Sequence, residues 1–359
     1  MRLRIYRRDL PLKHVMTVFR GTISRIRTVI VELEQDGIKG YGEAYEDLHL
    51  GYSVEDMMQT LEGCREYTSG YALADPVAFI RHLAPALRLD DAESSSESDV
   101  NAARERAKTR AAKIAATTAI EMAACDLWGK LCNVPLWRMW RYDSQNLPLS
   151  SYTLGLDSLY RIIEKFNEQP DWPLYRVKLG SRDDMEILRE LRQRTNVPFR
   201  LDVNGCWTYQ QAEDYLGELT TLNIELIEQP LHPDDVEGMR KLKQICPIPL
   251  IADESCRSIE DIEKCVGLFD GVNLKPIKFG GLNPTRHAID KAVSLGLKTM
   301  IGNTIESSVG ASATSQFAPK VDYIYLDGPL LIDRKLYNGV SLNRGRICMS
   351  KKNGTGVQS

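Results

Sequence analysis

Three carboxylates recur in this chain at a spacing that invites chemistry. Asp202, Glu228 and Asp253 lie about 25 residues apart, each closing a short β-rich run (PFRLD, IELIE and PLIAD). Two lysines flank them at similar intervals, Lys178 at the end of YRVK and Lys275 at the end of VNLK. Three hard oxygen ligands without His or Cys suit Mg²⁺ better than zinc. Crowded like charges also need a cation or lysines to neutralise them. Two lysines facing each other across a substrate could take a proton from one face of a carbon and return it to the other.

The elements that must position these groups follow from the same period. Eight β-rich runs, SSYTLG, YRVKLG, PFRLDVNG, IELIEQP, PLIADES, GVNLKP, LKTMIGN and YIYLDGP, end in Thr153, Lys178, Asp202, Glu228, Asp253, Lys275, Asn303 and Asp327. Between them lie amphipathic stretches such as DMEILRELRQR and DVEGMRKLKQI. This alternation predicts an α/β fold, a modified TIM barrel of (β/α)7β type over residues 148–327. No eighth barrel helix is expected, because LLIDRKLYNGVSLNRG is turn-rich. An open doubly wound sheet would need a Gly-rich phosphate turn after its first strand, which is missing.

In such a barrel the C-terminal strand ends share one face, and the second and sixth strands stand opposite each other. Arg176 lies two residues before Lys178, and Asn204 two after Asp202, so strand alternation puts each on the side of its neighbour. Arg176 could equally bridge a barrel carboxylate, and Asn204 could cap the loop before Gly205. Glu254 and Ser255 continue the Asp253 strand end as site or loop residues. Glu306 and Ser307, in NTIESS, could touch substrate or cap the following helix.

Residues 1–147 read as an α+β capping domain, completed by residues 328–359. RTVIVELEQ and KGYGEAY flank Asp-Gly, a hairpin signal. Helices are expected near 54–67 and 76–88, a solvated loop at LDDAESSSESD, and an Ala-rich helix over 101–132.

The 359 residues carry 46 basic and 49 acidic side chains, a net charge of −3, which disfavours nucleic acid or a membrane surface as partner. No uncharged apolar run is long enough for a membrane span, and the basic start MRLRIYRRDLPLKH has no apolar core behind it, as a signal peptide would. Eight cysteines without a CxxC pair argue against a disulfide scaffold or structural zinc, and suggest reduced thiols in a cytoplasm.

GYGEAY at 40–45, AIEMAACDLWGKLCNVPLW at 119–137, and DVNGCW, EQPL, ADES and NLKPIKFGGL together resemble the enolase superfamily, muconate-lactonizing subgroup, and within it the dipeptide epimerases. The resemblance covers almost the whole chain. It implies that Asp202, Glu228 and Asp253 bind Mg²⁺ and that Lys178 and Lys275, rather than Lys278, are the acid/base pair around an ene-diolate. A mandelate-racemase-type site would need a His beyond the sixth strand; none of His14, His49, His82, His232 and His287 stands at a strand end there.

Two positions depart from the pattern. Arg176-Val177-Lys178 replaces the usual Lys-x-Lys, and Tyr325-Leu326-Asp327 replaces the Asp-x-Asp that holds a dipeptide's ammonium. Asp327 alone could still pair with an ammonium. By analogy with mobile lids, residues 15–26, with Arg20 as a possible carboxylate anchor, and residues 46–53 would complete specificity. The implied function is epimerisation α to the carboxylate of a small molecule, a dipeptide above all. The alternatives on the same scaffold are a lyase or cycloisomerase (o-succinylbenzoate synthase, N-acylamino acid racemase or muconate cycloisomerase). Relatives are often symmetric, so a homo-oligomer is compatible.

Overall fold

In the computed structural model, which describes residues 1–18, 21–47, 50–87 and 100–359, the chain opens with an antiparallel meander. Its strands are β1 (Arg2–Val18), β2 (Gly21–Gln35) and β3 (Ile38–Tyr45), in that order across the sheet. The β2–β3 turn is the expected one: Asp36 and Gly37 both take positive φ, 53° and 77°.

β1 was not expected from its sequence. Its charged residues and Pro11 obscure the alternation, which the edge strand of the meander tolerates. The expected lid over 15–26 is also different. Met16 pairs with Ile23 and Val18 with Gly21, so most of this segment is strand rather than loop. Arg20 lies outside the described residues, as do 48 and 49 of the second expected lid and the whole acidic loop, 89–99.

Helices α1 (Val54–Glu62), α2 (Arg65–Thr68), α3 (Pro76–Leu87) and the 32-residue α4 (Val100–Leu131) complete this layer. β3 lies directly on α4. A Cβ on Gly42 would fall 2.0 Å from the carbonyl of Ala119, and one on Gly40 2.4 Å from that of Ala123. The glycines of GYGEAY and the alanines of α4 therefore serve one purpose, a backbone-close contact that larger side chains would prise open.

After α5 (Leu136–Met139) the barrel begins. Its parallel strands are β4 (Tyr152–Leu154), β5 (Tyr175–Lys178), β6 (Phe199–Asp202), β7 (Ile224–Glu228), β8 (Leu250–Ala252), β9 (Gly271–Asn273), β10 (Lys298–Gly302) and β11 (Tyr323–Tyr325). They stand in chain order, and a parallel bridge from Ser150 to Ile324 brings the last strand against the approach to the first. The connections carry α6 (Leu159–Glu168), α7 (Asp184–Arg192), α8 (Tyr209–Leu219), α9 (Val236–Ile245), α10 (Ile259–Lys264), the pair α11 (Pro276–Phe279) and α12 (Leu282–Ser294), and α13 (Ser308–Ser315). Only the four-residue α14 (Gly328–Leu331) follows β11, in keeping with seven barrel helices for eight strands.

Inside the barrel, Leu226, Ile251, Met300 and Tyr325 form a small buried cluster of their own. It is the floor beneath the strand ends. The tail forms the hairpin β12 (Ser341–Asn343) and β13 (Arg346–Cys348) and then returns to α4 and α5, where Leu136 donates its N–H to Gly354. Among the described residues no helix is long and apolar enough to cross a membrane.

Candidate active site

Strand register builds the site. Lys178 pairs with Asp202 and Asp202 with Glu228, so three charged residues from β5, β6 and β7 stand in one row. Asp253 sits one residue beyond β8, and Lys275 at the N-cap position of α11, two beyond β9. All three carboxylates are buried, which the barrel tolerates because cations lie among them.

Arg176 is the central one. Its Nη2 lies 2.6 Å from Asp202 Oδ2 and 2.8 Å from Glu228 Oε2, and its Nε donates to Glu228 at 2.9 Å. The bridging alternative for Arg176 is thus the one adopted. Lys178 Nζ lies 2.9 Å from Asp202 Oδ2 and donates to Asn204 Oδ1 at 2.8 Å. On the other side, Lys275 Nζ lies 2.6 Å from Asp253 Oδ2, and Lys278 Nζ 2.6 Å from Asp253 Oδ1. Lys178 closes β5 and Lys275 follows β9, strands four places apart in the sheet order.

The electrostatics follow from this wiring. Burial pushes Glu228 up to about 8; Arg176 opposes the rise, and the charges of Asp202 and Asp253 add to it. Burial also acts against ionised Asp202 and Asp253. Arg176 and Lys178 nevertheless hold Asp202 below the usual carboxylate range, and Lys275 and Lys278 hold Asp253 well below it. Burial disfavours the charge on Lys275, yet Asp253 and then Tyr325 and Glu228 outweigh it, so its ammonium is held protonated.

Among the described residues no three His, Cys, Asp or Glu side chains are drawn close enough to hold a metal ion as they stand. The donor chemistry still fits a hard divalent cation. Three buried carboxylates stand at neighbouring strand ends, and burial together with the charges of Asp202 and Asp253 pushes the Glu228 carboxyl up. A hard cation bound among them would offset that repulsion.

The remaining expected residues fall into three places. Asn204, at φ 48°, spans from Lys178 to Glu254, donating Nδ2–H to Glu254 Oε1 at 3.0 Å. Ser307 takes the capping role: its Oγ accepts from Val309 N at 3.1 Å and donates to Glu43 Oε2 at 2.6 Å. Glu306 beside it is buried, with Oε2 unpaired, and burial and Glu43 push its carboxyl well up. Asp327 is buried too, and its Oδ2 accepts the backbone N–H of Thr153 at 2.6 Å. Tyr325 lies under the rim as part of the barrel floor.

Sequence reasoning missed three supports. Gln229, at φ 41°, accepts from the backbone N–H groups of Asp253 and Ser255, both at 3.0 Å, and so ties the β7 end to the β8 end. Lys278 also donates to the carbonyls of Asp253, Cys256 and Asn273. Asn273 donates to Glu228 Oε1 at 2.7 Å; its place two residues before Lys275 was the available signal.

Residues 2–140 match the family described as mandelate racemase / muconate lactonizing enzyme, N-terminal domain, and residues 164–359 match enolase C-terminal domain-like. The L-Ala-D/L-amino acid epimerase of Flavobacterium johnsoniae is 35% identical over 357 residues, 99% of this chain and 99% of that protein. The L-Ala-D/L-Glu epimerase of Bacteroides thetaiotaomicron is 31% identical over 363 residues, 99% of this chain and 88% of that protein. In fold, the chain is similar to the substrate-liganded L-Ala-D/L-Glu epimerase from Bacillus subtilis, with a TM-score of 0.86 at 24% identity over 99% of this chain and 98% of that one.

Proposed function

The chain belongs to the enolase superfamily, in its mandelate racemase/muconate lactonizing enzyme group, and from that premise we propose that it is a Mg²⁺-dependent epimerase. It removes and returns the proton α to a substrate carboxylate, that of a dipeptide's C-terminal residue. The observation that carries this reading is the pair Lys178 and Lys275, four strands apart, each against a different carboxylate of the rim.

Asp202, Glu228 and Asp253 would hold the Mg²⁺, which when bound acidifies the α-proton and offsets the charge left on the substrate carboxylate. The chain's own residues do the rest. Lys275 beside Asp253 would donate as its ammonium while Lys178, as its neutral amine, would take the proton from the opposite face; for the other epimer the two exchange protonation states and roles. Asn204 Oδ1 accepts from Lys178 Nζ and holds it at the rim beside Asp202. Burial of the rim keeps these charges strongly coupled, because little water screens them.

The test is proton NMR in D₂O with Mg²⁺ and a broad dipeptide panel. The C-terminal α-proton signal should disappear as the second diastereomer appears. A panel without exchange at any member sinks the dipeptide reading. A second reading is favoured by Tyr325, which stands where dipeptide epimerases carry an acid: the same lysines would then serve an N-acylamino acid racemase, a lyase or a cycloisomerase. A new double bond or lactone would reveal either of the last two by absorbance, whereas epimerisation changes chirality alone.

A further inference from the structure

Tyr325 and Arg176, the two unusual positions in the sequence, are in contact. The Arg176 guanidinium lies 4.2 Å from the centre of the Tyr325 ring, within the range of a cation–π contact, which is strong where water is excluded. The ring has room because its register partner on β10 is Gly302, where an added Cβ would fall 2.0 Å from a Tyr325 ring carbon. Its hydroxyl accepts from Asn273 Nδ2 at 3.0 Å, and the same amide donates to Glu228 Oε1 at 2.7 Å. Both oxygens of Glu228 are thereby set by groups that rest on Tyr325: Oε1 by Asn273, Oε2 by Arg176. Arg176 extends the same hold to Asp202.

We propose that Tyr325 is a positioning residue for the carboxylate rim, acting through Arg176 and Asn273 on Glu228 and Asp202, and is not a substrate anchor. The proposal rests on the reading of that rim as the metal-holding group. Its consequence for specificity is that the eighth strand offers the substrate one carboxylate, Asp327, with Oδ2 already engaged by Thr153.

The experiment compares Tyr325→Phe, which keeps the ring and drops the hydroxyl, with Tyr325→Leu, which drops both, in the full-length protein. Mn²⁺ affinity is read by electron paramagnetic resonance, beside kcat, KM and melting temperature. Groups that orient metal ligands from behind cost about 10- to 100-fold in affinity when removed. Tyr325→Phe should therefore weaken Mn²⁺ several-fold, and Tyr325→Leu by about tenfold or more, with kcat falling and KM nearly unchanged. Loss of melting temperature with wild-type Mn²⁺ affinity and kcat in both variants would reduce Tyr325 to core packing and overturn the proposal. A wild-type protein that binds no Mn²⁺ refutes the metal reading instead. The positioning claim is then decided by a denaturant double-mutant cycle of Tyr325→Leu and Arg176→Lys: non-additive losses support it, and additive losses overturn it.

Discussion

At the scale of single residues, the two lysines carry opposite obligations. Under the proposed mechanism each would reach the α-carbon, yet each is tied to a carboxylate in the rim. Replacing either by Ala should cut turnover by at least about 100-fold, the lower end of what a positioned acid or base contributes. Mg²⁺ binding, measured by calorimetry, should persist in both variants, and full activity in both would sink the two-lysine mechanism. Lys165 offers a contrasting case. Burial lowers its pKa to about 8, against the pull of Asp327 and Glu168. Between about pH 8 and its unfolded value near 10.4 the unfolded chain binds more protons than the folded one. The cost of keeping it charged is thus complete below about pH 8 and fades as pH rises through that window. Lys165→Met should stabilise the protein by about 2 kcal/mol at pH 7, with the gain shrinking toward pH 10 in urea titrations.

At the scale of elements, the barrel was legible because every β/α unit must repeat the same grammar: a buried strand, a polar strand end and an amphipathic helix. That repetition alone places Lys178, Asp202, Glu228, Asp253 and Lys275 at strand ends that follow one another around the barrel. What it could not reveal depended on partners far along the chain. Tyr325 turns inward because Gly302 on the adjacent strand leaves space, and no local pattern around YIYLDGP records that vacancy. β1 is hidden for a related reason, since its place at the edge of the meander leaves its alternation weak. Glu43 shows the same principle at an element boundary. From β3 it accepts hydrogen bonds from Thr28 Oγ1, Ser307 N, Ser307 Oγ and Gly310 N, and so caps α13 across the seam between cap and barrel. Glu43→Ala would strand the two N–H donors in a buried place, at about 1–3 kcal/mol each. Equilibrium urea denaturation should register a loss of about 2 kcal/mol or more, and a loss below 0.5 kcal/mol would mean that water replaces the carboxylate.

At the scale of the whole molecule, cap, barrel and tail share one small core. Ile30 and Tyr41 from the cap sheet meet Val309 of α13 and Val357 of the tail, and all four are buried. Beside it Asp126 of α4 accepts from Tyr41 N at 2.9 Å, Thr355 N at 2.8 Å and Thr355 Oγ1 at 2.9 Å, with Lys130 Nζ at 2.6 Å. A buried carboxylate with this many donors costs little while all are present and a great deal once they are withdrawn. The tail is therefore a clasp: it satisfies Asp126 and seals the seam through Val357. If so, cap and barrel melt together only while the clasp is closed. Calorimetry of the full chain should give a single transition with equal calorimetric and van't Hoff enthalpies. Deleting residues 350–359 removes Thr355 and Val357 together, so the transition should shift down by several degrees and split, with the cap component melting first. A shifted but still single transition would place the coupling in β3, α4 and Glu43 instead of the tail.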